Sequence, residues 1–137
     1  MNDVTPARVW RNMRTLVLER NERRREVADA LGMSFFRIKA LRRIAAAPVT
    51  PGELAADLMT DRPYITIVVD DLAGRGLVDR TPHPDDRRRK VVAVTAAGAA
   101  AAAEAERILG TPPPALAALS PDELAVLDRV LGRLLDE

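Results

Sequence analysis

Between residues 50 and 75 two helix starts stand so close together that only a few residues can connect them. Thr50-Pro51-Gly52-Glu53 sets a capping hydroxyl three residues before a glutamate, with Pro at the first helical position. Val49 and Leu54 flank it as a hydrophobic staple. This helix is short and ends near Leu58. A second begins near Asp61 and runs to about Arg75, stopped by Gly74 and Gly76, with Ile65, Val68, Val69 and Leu72 on one face. Two short helices joined through Met59 and Thr60 form a helix-turn-helix. Such a pair cannot bury its own apolar faces, so the rest of the chain must cover them, and 137 residues allow one domain in which to do so.

The flanks supply that cover. Thr5 caps and Pro6 opens a first helix, in which Val9, Met13, Leu16 and Val17 recur at helical spacing. The pattern continues through the charged run 19–26 to Val27, Ala28 and Leu31, with Gly32 as the stop, and predicts one helix of about 25 residues, roughly 40 Å long. A terminal helix of that length suits packing on a second chain. Another helix starts near Ser34, carries Phe35, Ile38, Leu41, Ile44 and Ala45, and ends before Pro48. After the helix-turn-helix the character changes. Residues 77–81 and 90–95 are rich in β-branched side chains and bracket the polar stretch 82–89, which predicts a hairpin with a long charged tip. Thr95 opens an Ala-rich helix, and Ala is the best helix former. Pro112, Pro113 and Pro114 break it. Ser120-Pro121-Asp122-Glu123 is a second capping box, starting a helix with Leu127, Val130, Leu131, Leu134 and Leu135. The expected fold class is mostly α, with a two-stranded wing attached to a helix-turn-helix.

Composition narrows the chemistry. The chain has no Cys, which excludes disulfides, thiolate metal sites and thiol redox switching, and its one His, His83, has no companion ligand. We expect no metal and no cofactor. There is no Gly-rich phosphate loop, and the carboxylates are scattered over helix surfaces, so no acid–base pair can be argued and no enzyme is expected. No apolar run is long enough to span a bilayer, and the N-terminal residues lack an apolar leader, so the expected compartment is the cytoplasm. The net charge of +1 is unevenly spread. Residues 1–95 hold 18 Lys/Arg against 13 Asp/Glu, a net of +5, whereas 96–137 hold 3 against 7, a net of −4. A basic body thus precedes an acidic tail section, and binding to nucleic acid depends on a local patch, not on total charge.

Three strings carry a resemblance: ELAADL (53–58), DRPYITIVVDDLAGRGLVDR (61–80) and PDDRRRKVVAVTAAG (84–98). Together, residues 33–98 resemble the multiple-antibiotic-resistance regulator (MarR) family of winged helix-turn-helix proteins. The first string is similar to the helix that braces the reading helix. The second is similar to the recognition helix and its Gly-Leu-Val-x-Arg entry to the wing. The third is similar to the Asp-Arg-Arg wing and the following Leu-Thr-x-x-Gly, with Val94 in place of Leu. The resemblance implies a DNA-binding portion over 33–95 and dimerisation helices over 4–31 and 96–135. It further implies a homodimeric repressor on a near-palindromic double-stranded operator, relieved by a small hydrophobic or aromatic ligand. Two positions depart from the pattern. Ile67 stands where a basic residue is frequent, and Asp71 has a basic counterpart more often.

In helix-turn-helix docking the early residues of the second helix face base edges in the major groove. These are Arg62, Pro63, Tyr64, Thr66 and Ile67. Arg62 suits a bidentate pair with guanine, worth about 1–3 kcal/mol of discrimination. Tyr64 and Thr66 suit phosphate or bases, and Ile67 a thymine methyl; the bland alternative is a solvated helix face. At the wing, Arg87, Arg88, Arg89 and Lys90 follow Asp85 and Asp86, and a cationic tip suits the narrow, negative minor groove. Alternate strand residues face opposite ways, so not all four reach DNA together. The resemblance implies that one arginine pairs with Asp86 and shapes the tip, Arg87 and Arg88 matching the family pair. Thr50 either caps its helix or also sets the helix N-terminus against a phosphate. Arg37, Arg42 and Arg43 read as surface charges. Trp10, Met13, Phe35 and Phe36 are the candidates for an implied ligand crevice, and equally read as core. The alternative function is a winged-helix module that holds a protein partner without specific DNA binding, motivated by Asp70, Asp71 and the missing base at position 67.

Overall fold

The computed structural model describes residues 3–136. Its elements follow the expected order. Helix α1 (Pro6–Arg14) continues as a π-helical segment (Thr15–Arg20), followed by α2 (Arg23–Leu31), α3 (Phe35–Ala46), α4 (Pro51–Asp57) and α5 (Arg62–Gly74). Strands β1 (Val78–Pro82) and β2 (Lys90–Val94) form an antiparallel hairpin, and α6 (Ala96–Gly110), α7 (Pro114–Ala117) and α8 (Pro121–Leu135) complete the chain.

The helix starts are local chemistry, and the structure places them where the caps predict. Thr5, Ser34, Thr50, Thr95 and Ser120 each accept a hydrogen bond from a backbone N–H of the first turn. Both capping boxes close: Thr50 with Glu53, and Ser120 with Glu123. Gly32 ends α2 in the left-handed conformation, φ +66°.

The single long first helix does not form. At Asn21 the backbone leaves helical geometry (φ −130°, ψ 45°), and its side-chain amide donates to the Leu16 carbonyl at 2.8 Å. Glu22 then caps α2, accepting from the Arg24 N–H at 2.7 Å. The first half, α1 with its π-helical extension, leaves no residue buried, whereas α2 sends Val27 into the core and packs on α3 and α6.

The core is aliphatic. Ile38, Leu41 and Ile44 of α3, Leu54 of α4, and Ile65, Val68, Val69 and Leu72 of α5 are fully buried with Val49, Val78 and Val92. The Ala-rich α6 lies against α2 and α3, burying Ala102 and Ala105, side chains small enough for close helix approach. One feature was not foreseen. Val49 and Val92 exchange backbone hydrogen bonds (3.0 and 2.8 Å), which ties the segment before α4 to β2. The short helix α7 was also not expected within the Pro-rich break.

Exposed carboxylates guard several of these joints. Glu22 is held down to about 2 by its side-chain hydrogen bond with Arg24 and the Arg24 N–H. Glu123 is lowered by the backbone and hydroxyl of Ser120, and Asp71 by Arg75 and then Arg37. Each folded pKa lies below its unfolded value, so the stabilisation is present above the ordinary carboxylate range. It is lost as pH falls through that range toward about 2 for Glu22. The urea midpoint is expected to hold near neutrality and decline below about pH 4.5, with a shallower decline in Glu22→Gln. An unchanged midpoint down to pH 2.5 contradicts this assignment.

Candidate nucleic-acid interface

The site grows from three adjoining pieces. Thr50 is buried beneath its own cap, so its hydroxyl serves Glu53 N–H at 3.2 Å, and Leu54 and Ala55 fix α4 to the core. The turn closes through Met59 in the left-handed region (φ 55°), a conformation costly for a side chain, with that side chain 94% exposed. Asp61 caps α5 by accepting from Tyr64 N–H at 2.8 Å, with Pro63 in the first turn. With Ile65, Val68, Val69 and Leu72 directed inward, Arg62, Pro63, Thr66, Ile67 and Asp70 are left exposed.

The hairpin pairs Val78 with Val94, Arg80 with Val92 and Pro82 with Lys90. Paired and alternate residues share one face, so that face begins apolar at the core and turns cationic, at Arg80 and Lys90, as the hairpin leaves the body. At the tip, Asp86 Oδ1 accepts from Arg88 N–H (3.1 Å) and from its guanidinium (3.3 Å). Arg88 is thus the arginine that pairs with Asp86, and Arg87 stands exposed beside it. His83 builds the wing base: its N–H donates to Arg89 O at 2.9 Å, and its Nδ1 accepts from Asp85 N–H at 3.0 Å. Among the described residues no cluster of three His, Cys, Asp or Glu is placed to hold a metal ion.

Between these pieces lies a groove of about 420 Å³, lined by Thr50, Pro51, Gly52, Arg62, Arg80, Arg88, Arg89 and Lys90. Five cations line it with no carboxylate among them, a concentration of charge that attracts polyanions. The structure thus brings Thr50, Arg62, Arg88 and Arg89 together. Pro63, Thr66 and Ile67 sit on the adjoining outer face of α5, and Arg87 at the wing tip. Arg80 was missed as a site residue; its signal was the strand alternation that sets it on the same face as Lys90.

The two aspartates of α5 do not present bare charge. Asp70 pairs with Arg80, and Asp71 bridges Arg37 (2.9 Å) and Arg75 (2.8 Å). The arginines of α3 are therefore struts between elements, not mere surface charges: Arg37 to α5, Arg42 to Glu106 of α6 at 2.6 Å, and Arg43 to Asp57 of α4 at 2.7 Å.

The four candidate crevice residues do not gather. Trp10 is 61% exposed, Met13 and Phe35 are half-buried on separate helices, and Phe36 packs on Tyr64 with ring centroids 5.1 Å apart. An apolar cleft of about 350 Å³ lies elsewhere, where Leu16 and Val17 of the π-helical segment meet Leu109, Pro112, Pro113 and Leu116.

The sequence matches the model of the MarR family over residues 31–89. Among solved structures, wild-type MarR (apo form) from E. coli superposes with a TM-score of 0.77 at 28% identity, covering 98% of this chain and 99% of that one. A mutant MarR from E. coli complexed with operator DNA gives 0.61 at 27% identity, covering 97% and 99%. A mutant of MepR from S. aureus gives 0.79 at 18% identity, covering 97% and 98%, a likeness of fold alone. No curated protein matches the sequence significantly. With the winged helix-turn-helix, the Asp-Arg-Arg tip and the Thr-x-x-Gly entry to α6 all in place, the chain is similar to the MarR family over residues 31–89, and to E. coli MarR in fold along nearly its whole length.

Proposed function

We propose that the protein is a sequence-specific double-stranded DNA-binding transcriptional regulator, a homodimeric repressor acting in the cytoplasm and relieved by a small hydrophobic or aromatic ligand. The observation that carries this reading is the acid-free cationic groove between α4, α5 and the wing. It lies beside the outer face of α5 and so joins phosphate attraction to a helix of the right size for a major groove. The E. coli relative solved with operator DNA supports the same use of the fold. Residues 33–95 form the reading part. Thr50, Arg62, Arg88 and Arg89 hold phosphates; Pro63, Thr66 and Ile67 face the bases, with Tyr64 at the edge of that face against Phe36; Arg87 reaches the minor groove. The terminal segments 4–31 and 96–135 join two copies, since α1 and α8 carry apolar stripes that nothing in the described chain covers. A two-fold dimer sets half-sites about 10 base pairs apart on a near-palindrome. The cleft under α7 is the place for the effector, in preference to Trp10, Met13, Phe35 and Phe36. No helix among the described residues is long and apolar enough to cross a membrane. Two of the three features that favoured the protein-partner alternative are weakened, because Asp70 and Asp71 are both ion-paired in place; the apolar Ile67 is the one that stays.

Selection of sites from random duplex DNA tests the proposal. The protein is expected to enrich one near-palindrome. Arg88→Ala/Arg89→Ala should bind it more weakly, with the slope of log affinity against log salt reduced by about 2, one per lost phosphate contact. Failure to enrich any duplex at low salt would overturn the DNA reading in favour of the protein-partner module.

A further inference from the structure

We infer that α5 reads its half-site through thymine methyl groups, with Ile67 as the specificity-determining side chain, and that Arg62 holds a phosphate instead of a guanine. This rests on the DNA-binding reading above and names what in the duplex that site recognises.

The outer face of α5 is unusually poor in hydrogen-bond donors. Guanine presents only acceptors, O6 and N7, in the major groove, so reading it takes a paired donor such as a guanidinium. Arg62 is the only cation on α5 upstream of its C-terminal cap, and its guanidinium is drawn into the cationic groove, with Nη1 over Gly52 at the start of α4. The Thr66 hydroxyl donates to the Arg62 carbonyl at 3.0 Å, which commits its proton within the helix. Tyr64 is turned onto the Phe36 ring. Asp70, one turn on, is engaged by Arg80 of the wing. What remains at the centre of the face is Ile67, 58% exposed. The feature of the major groove that an aliphatic side chain distinguishes is the C5 methyl of thymine. Covering one methyl-sized group corresponds to about 0.8 kcal/mol, or about fourfold in affinity per half-site.

The test starts from the duplex enriched by selection. Each thymine of the half-site is replaced in turn by deoxyuridine, which keeps every hydrogen bond and removes only the methyl. A loss of about fourfold is expected at one or two positions per half-site. Ile67→Ala, an exposed substitution that leaves the core untouched, should bind the thymine and uracil duplexes equally. Arg62→Ala should weaken binding by the same factor on selected and scrambled duplexes and lower the salt slope by about 1. Tight binding that ignores uracil at every position, or an Arg62→Ala protein that loses its preference at a guanine, overturns the inference and leaves the DNA reading intact. If no duplex is enriched, both fall together.

Discussion

Gly98→Ala is expected to lower the unfolding free energy by about 3 kcal/mol, at the upper end of the usual overpacking cost. A Cβ at this position would stand 1.9 Å from the Leu77 carbonyl oxygen and 2.9 Å from its carbon, so backbone must move to admit it. The neighbourhood resists that movement. The same Leu77 oxygen accepts from Thr95 N–H at 3.0 Å. The Thr95 hydroxyl donates to Gly76 O at 2.6 Å and accepts from Gly98 N–H at 3.0 Å. The spacing Thr-x-x-Gly is thereby explained: the threonine caps α6 and ties it to the wing entry, and the glycine lets the first turn of α6 rest on that entry. Gly74→Ala, where nothing lies within 4 Å of the added carbon, is the matched control and should stay within about 0.5 kcal/mol of the parent. Urea denaturation decides it; equal midpoints for the two variants would show that the contact is not tight.

The second large effect concerns association. Leu124, Leu127, Leu131 and Leu134 form a stripe along α8, and Val9, Trp10 and Val17 another along the first helical arm, all of them exposed. Leu127→Asp/Leu131→Asp should convert a dimer to a monomer in sedimentation at micromolar concentration. The winged part should remain folded, since its core draws nothing from α8. Affinity for a single half-site should persist, while the advantage of the full palindrome, about 10²–10⁴ for linked sites, should vanish. A wild-type monomer at that concentration would remove the basis for this expectation.

Features governed by neighbours in sequence were legible before the structure. Caps and breaks such as Thr50-Pro51-Gly52-Glu53 and Ser120-Pro121-Asp122-Glu123 satisfy their own backbone, so a short string suffices to see them. The interruption at Asn21 was hidden because the charged run around it has good helix propensity; what decides it is one amide reaching back to the Leu16 carbonyl. The pairing of Arg37, Arg42 and Arg43 was hidden for another reason. Their carboxylate partners lie 34, 64 and 14 residues away, and only the packed helices bring them together. In the candidate site the cations were visible as a run, but the division of labour among them was not. That Arg88 folds onto Asp86, and that Arg62 turns into the groove, depends on where the hairpin stands relative to α5.

The link between Asp70 and Arg80 has a consequence for control. With Thr95 bonded to Gly76, and Val49 to Val92, it ties recognition helix, wing and bracing helix to one another. An effector seated under α7 would leave unchanged which bases one protomer prefers and alter only the distance at which two reading parts are presented. Half-site sequence and spacer length would then be separately inherited traits: the first written in α5 and the wing, the second in the arms.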